Sequence, residues 1–164
     1  MKEYRTDGDI EDLIGAFEAG TISRADWKHA EHLIVALYYI DGHDLETATA
    51  KMRTGIFNLL KAFKVDLTKE MPYHETLTVF WMRTLAAFNA SRKGTPMVRR
   101  VQEMTGIFDK EYTASFYSRD LLFSEKARAE FVEPDIRPSA LCQSYFHERR
   151  AAYAGVDRPD HVEI

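Results

Sequence analysis

Cysteine is almost absent from this chain: Cys142 is the only one, which excludes an internal disulfide framework and fits a reducing compartment. Long apolar runs are missing as well. The longest, Leu33 to Ile40, falls far short of the roughly 20 residues of a membrane-spanning helix, and the opening Met1 to Asp9 is too polar for a secretion signal. A cytoplasmic protein with no membrane partner is the expectation. Positive charge is not in excess either: 22 Lys and Arg stand against 26 Asp and Glu, for a net charge of −4, and the only adjacent arginines are Arg99-Arg100 and Arg149-Arg150. Without a basic stripe the electrostatic term that dominates nucleic-acid affinity is lacking, so no nucleic-acid partner is expected.

Familiar reaction signatures are missing too. There is no glycine-rich phosphate loop and no serine in a nucleophile elbow. His29-Ala30-Glu31-His32 has one residue too few between its histidines for either metalloprotease spacing, and no paired cysteines follow, as a zinc deaminase requires. A di-iron site needs glutamate three residues before its histidines, whereas Asp26, His29 and Met71 precede His29, His32 and His74.

What is present is a helical pattern. With 164 residues and 45% hydrophobic content the chain fits one domain, burying about two-thirds of its unfolded surface. Ser23 caps a first helix through Trp27, Ala30, Leu33, Ile34, Leu37 and Ile40, stopped by Asp41-Gly42. Asp44 opens a second, with Met52, Ile56, Leu59 and Leu60 on its stripe, ending near Lys64, and Gly55 in its interior permits close packing. Pro72 suits the first turn of a third, which runs to about Asn89, and Thr95-Pro96 repeats the signature for a fourth through Val98, Val101, Met104 and Ile107. Shorter pieces follow around Tyr112 to Leu122 and behind Ser124. Glu133 to Pro138, with two prolines, reads as an extended strap; a last helix spans Ala140 to Tyr153. No repeat and no alternating strand occurs. The expectation is a single all-α domain over residues 1–164: a bundle of four main helices, with residues 1–10 and 155–164 frayed, as monomer or homodimer.

Two histidine motifs stand out: Trp27-Lys28-His29-Ala30-Glu31-His32-Leu33 and Tyr73-His74-Glu75-Thr76-Leu77-Thr78. At roughly 100° per residue His29 shares a face with Leu33, Ala36 and Ile40, with His32 about 60° away, while His74 shares one with Leu77, Thr78, Trp81 and Leu85. If the first and third helices are neighbours, His29, His32 and His74 can supply three nitrogens to a metal such as zinc or iron, with Glu75 as fourth ligand or general base. Thr78, Tyr38, Tyr39 or Asp26 would orient the rings, and Glu31 would face solvent. On this reading the protein holds or acts on a small molecule. The competing reading is a non-catalytic binding module or a purely structural domain, its histidines satisfied by carbonyls, hydroxyls or buried water.

Other polar residues invite plainer readings. Cys142 and His147, five apart, cannot share a helix face as nucleophile and base; His43 belongs to a turn and His161 to a tail. Arg119 and Arg128 could bind a carboxylate if turned inward.

Trp27-x-His29-x-x-His32-Leu33 and Tyr73-His74-Glu75-Thr76-x-Thr78, with Ser124-Glu125-x-Ala127-Arg128 and Pro134-Asp135-x-Arg137-Pro138, resemble a family of small bacterial helical proteins without assigned function. The match covers most of residues 15–140. It implies a soluble bacterial domain of this size and carries no catalytic residue across.

Overall fold

The computed structural model describes residues 3–70 and 72–138, and all their regular structure is helical. Five longer helices, α1 (Asp7–Glu18), α2 (His29–Gly42), α3 (Leu45–Ala62), α4 (Glu75–Ala90) and α5 (Met97–Ile107), precede a 3₁₀ turn (Tyr112–Ser115) and two short helices, α6 (Arg119–Leu122) and α7 (Glu125–Ala129). None is long and apolar enough to cross a membrane.

α2 is the centre of the bundle because its sequence is apolar on every side. Leu33, Ile34, Val35, Ala36 and Leu37 follow one another and all are buried, so the helix needs neighbours all round. It packs against α3 and α4 most extensively, with α1 and α5 completing its surroundings. α7 lies on α4, and beyond it the chain is extended: the Val132 amide donates to Thr76 Oγ1, and the Tyr117 hydroxyl donates to the Val132 carbonyl. The strap read from the two prolines follows and bends at residues 135–137, fastened to the segment before α6: the Ile136 amide donates to the Phe116 carbonyl at 2.9 Å and Asp135 accepts the Ser118 amide at 2.7 Å.

Several boundaries differ from the sequence reading. Residues 3–10 are not frayed: Tyr4 is buried, and Thr6 with Asp9 forms a capping box that starts a fifth long helix, α1. α2 begins at His29 rather than behind Ser23, because Ser23 and Asp26 close a separate turn and Glu31 reaches back to the Lys28 amide. α4 begins at Glu75, so Pro72 precedes the helix and His74 is its cap. Likewise Pro96, not Thr95, occupies the cap position of α5, and the 112–122 piece is split into the 3₁₀ turn and α6. The expected helix at 140–153, the frayed end at 155–164, Cys142, His147 and His161 lie outside the described residues.

Candidate functional site

Where α2 and α4 lie side by side a cavity of about 490 Å³ opens. Trp27, His29, His32 and Leu33 form one wall; Tyr73, His74, Leu77, Thr78 and Trp81 form the other. Met52 and Ile56 of α3 contribute apolar floor, with Pro72 and Met82, and Lys28, Lys110 and Thr113 complete the lining. The structure thus brings His29, His32 and His74 to one cavity. Glu75 is not among its walls.

Each ring is held by a backbone carbonyl, which can only accept, so the facing nitrogen must carry the hydrogen. His29 Nε2 donates to the Phe108 carbonyl at 3.1 Å, leaving Nδ1 with its lone pair. His32 Nδ1 donates to the Lys28 carbonyl at 2.8 Å, leaving Nε2 as an acceptor. His74 is fully committed: Nε2 donates to the Leu122 carbonyl at 2.7 Å and Nδ1 accepts the Leu77 amide at 3.3 Å, capping α4. The tryptophans pack on the two acceptor rings, Trp27 on His32 with centroids 4.0 Å apart and Trp81 edge-on to His29 at 5.1 Å.

Electrostatics keeps these rings neutral. Burial lowers the pKa of all three; the carbonyl partners oppose it without cancelling it. His32 is pushed down to about 4, with the His29 ring adding to the effect of burial, and the Lys110 ammonium lowers His29 further. At neutral pH the cavity holds uncharged imidazoles. His74 feels the Arg128 cation, which is half-buried.

A metal centre fits this donor set poorly. His74 has no lone pair to give, and the Glu75 carboxylate is already held by the Arg53 guanidinium and the Tyr73 hydroxyl. Burial alone would raise the Glu75 carboxyl, yet those two donors outweigh it and hold it below its ordinary value. Among the described residues no carboxylate lines the cavity, whereas two ammonium groups do, and these repel a cation. Among the described residues no group of three His, Cys, Asp or Glu is arranged to hold an ion.

The orienting partners also differ from expectation. Thr78 donates to the His74 carbonyl, Tyr39 to Glu18, and Asp26 accepts from Ser23, while Tyr38 is exposed. Carbonyls set the rings instead. Glu31, expected at the surface, is 5% exposed and accepts from the Tyr4 hydroxyl at 3.0 Å as well as from the Lys28 amide. Arg119 is exposed and lies over Phe123. Lys110 carries no signal in the sequence, and Met52 and Ile56 read there only as the apolar stripe of a helix; the Trp27-Lys28-His29 adjacency is the one local signal for part of the wall.

A second cavity of about 450 Å³ adjoins the first and shares Lys28, His29, Leu33 and Lys110 with it, but its remaining lining includes Asp26, Glu31 and Asp109. No protein-family model, curated protein or solved structure matches the chain, so the functional reading rests on the cavity itself.

Proposed function

We propose that the chain binds a small organic molecule in the cavity between α2 and α4, with His29 Nδ1 and His32 Nε2 as hydrogen-bond acceptors and without a metal ion. The supporting observation is the convergence of two neutral acceptor histidines with Trp27, Tyr73 and Trp81 on one space. Its volume falls within the range of about 300–1,000 Å³ usual for small-molecule sites, and apolar walls with a few fixed polar groups are the usual composition of such sites.

The zinc or iron centre suggested by the histidine spacing is the opposing reading. Two measurements separate them. Elemental analysis of protein made without a polyhistidine tag should give less than about a tenth of an equivalent of any transition metal, with no uptake on titration. A mixed set of aromatic, aliphatic, charged and neutral fragments should contain members that shift the Trp27 and Trp81 indole N–H resonances saturably, and Leu77→Trp, which fills the space, should abolish those shifts. Stoichiometric metal, or no fragment acting on either tryptophan, contradicts the proposal.

A further inference from the structure

The lining also constrains the kind of molecule, given the reading above that the cavity takes an organic ligand. Its hydrogens are spent on the protein: the His29 and His32 N–H groups go to carbonyls, the Thr113 hydroxyl to the Lys110 carbonyl at 3.5 Å, and the Tyr73 hydroxyl to Glu75 at 2.5 Å. What is left to meet a ligand is acceptors, the two imidazole lone pairs and those on the Tyr73, Thr78 and Thr113 hydroxyl oxygens, with donors confined to the indole N–H groups and the lysines. Charge is of one sign. Among the described residues, Lys28 and Lys110 are the only ionised side chains in the lining, both are exposed, and neither has an ion-pair partner there. The carboxylates nearby, Asp26, Glu31 and Asp109, belong to the neighbouring cavity.

An unmet imidazole lone pair asks for a donor on the ligand, an unpaired ammonium at the rim asks for an anion, and aromatic walls ask for a flat ring. We infer that the ligand class is an aromatic acid whose ring carries an O–H or N–H donor: the ring lies among Trp27, Tyr73 and Trp81, the donor meets His29 or His32, and the carboxylate lies toward Lys28 and Lys110.

Three probes test the class by following the tryptophan indole resonances at pH 7.5 and low salt. 4-Hydroxyphenylacetate carries both features, 4-methoxyphenylacetate lacks the donor, and 4-hydroxyphenethyl alcohol lacks the charge. The first should bind about tenfold more tightly than either of the others, the scale of one buried hydrogen bond or one partly desolvated ion pair. In His32→Phe, with His29→Phe as the second variant should the donor meet His29 instead, the preference for hydroxyl over methoxy should fall to about one while that for acid over alcohol persists. In Lys28→Gln/Lys110→Gln the reverse should hold. The comparison in the unaltered protein stands even if a variant folds poorly. Equal binding of the three probes, or binding of other fragments to the cavity but none of these, overturns the ligand class and leaves the cavity reading intact. If no fragment of any kind acts there, the cavity reading itself has failed.

Discussion

His74 Nε2 lies 2.7 Å from the Leu122 carbonyl oxygen, which ties the first residue of the α4 cap to the end of α6. Because the same ring accepts the Leu77 amide, His74→Ala removes a cap and leaves a carbonyl without its donor. The expected loss is about 2–4 kcal/mol, roughly 1 from the cap and 1–3 from the orphaned carbonyl. His74→Asn keeps the cap and should recover about 1 kcal/mol of this. Urea denaturation of both variants checks the ranking.

Gly55 is where α3 meets α1. A methyl group there would overlap the Phe17 ring far inside contact distance, and Phe17 is fully buried and stacked on Trp27 at 5.0 Å. Gly55→Ala gains about 1 kcal/mol of helix propensity, yet overpacking costs typically about 1–3 kcal/mol. Net destabilisation is expected, with a changed Trp27 emission as the ring is displaced toward the cavity. A more stable variant with unaltered emission would contradict the close packing.

Stability should fall with acid earlier than carboxylates alone would dictate. A ring harder to protonate when folded binds fewer protons folded than unfolded, so stability is complete above the ordinary value of 6.5 and is lost as pH drops toward the folded value, about 4 for His32. The slope per ring is at most about 1.4 kcal/mol per pH unit. Urea midpoints should be flat above pH 7.5, fall between pH 6.5 and 4.5, and fall less in His32→Phe. Below that window Asp41, held low chiefly by its hydrogen bond from Arg100, and Glu75 add their own acid loss.

Glu31 fastens the N-terminal segment through Tyr4. Glu31→Ala should cost about 1–3 kcal/mol, since it removes the acceptor of the buried Tyr4 hydrogen bond and undoes the contact with the Lys28 amide. Tyr4→Phe should cost less, and the double variant less than the sum, as expected for side chains in contact. Additivity within about 0.3 kcal/mol would show that the two do not interact in solution.

Periodicity made the helices α2 to α5 legible, and the inward face of His29 with them, whereas His74 is buried as the cap of α4 and not on its face. Periodicity could not find the start of α2, because Glu31 reads as surface charge until the Tyr4 hydroxyl, 27 positions away, is seen to meet it while it reaches back to the Lys28 amide. Nor could it find α1, whose capping box of Thr6 and Asp9 stands in a stretch too polar to look buried. The cavity was half readable. Spacing put three histidines near one another, but the carbonyls of Phe108 and Leu122 that fix two of those rings come from 79 and 48 residues away, and nothing local announces them. Lys110 reaches the cavity from beyond the end of α5 for the same reason.

The central claim is that these histidines are neutral acceptors fixed by carbonyls rather than metal ligands, and their ring nitrogens report it directly. Long-range proton–nitrogen spectra at pH 7.5 should show the Nε2–H form for His29 and His74 and the Nδ1–H form for His32, unchanged by one equivalent of zinc. Zinc-induced shifts at the nitrogens of all three rings, saturating at one equivalent, would contradict the account.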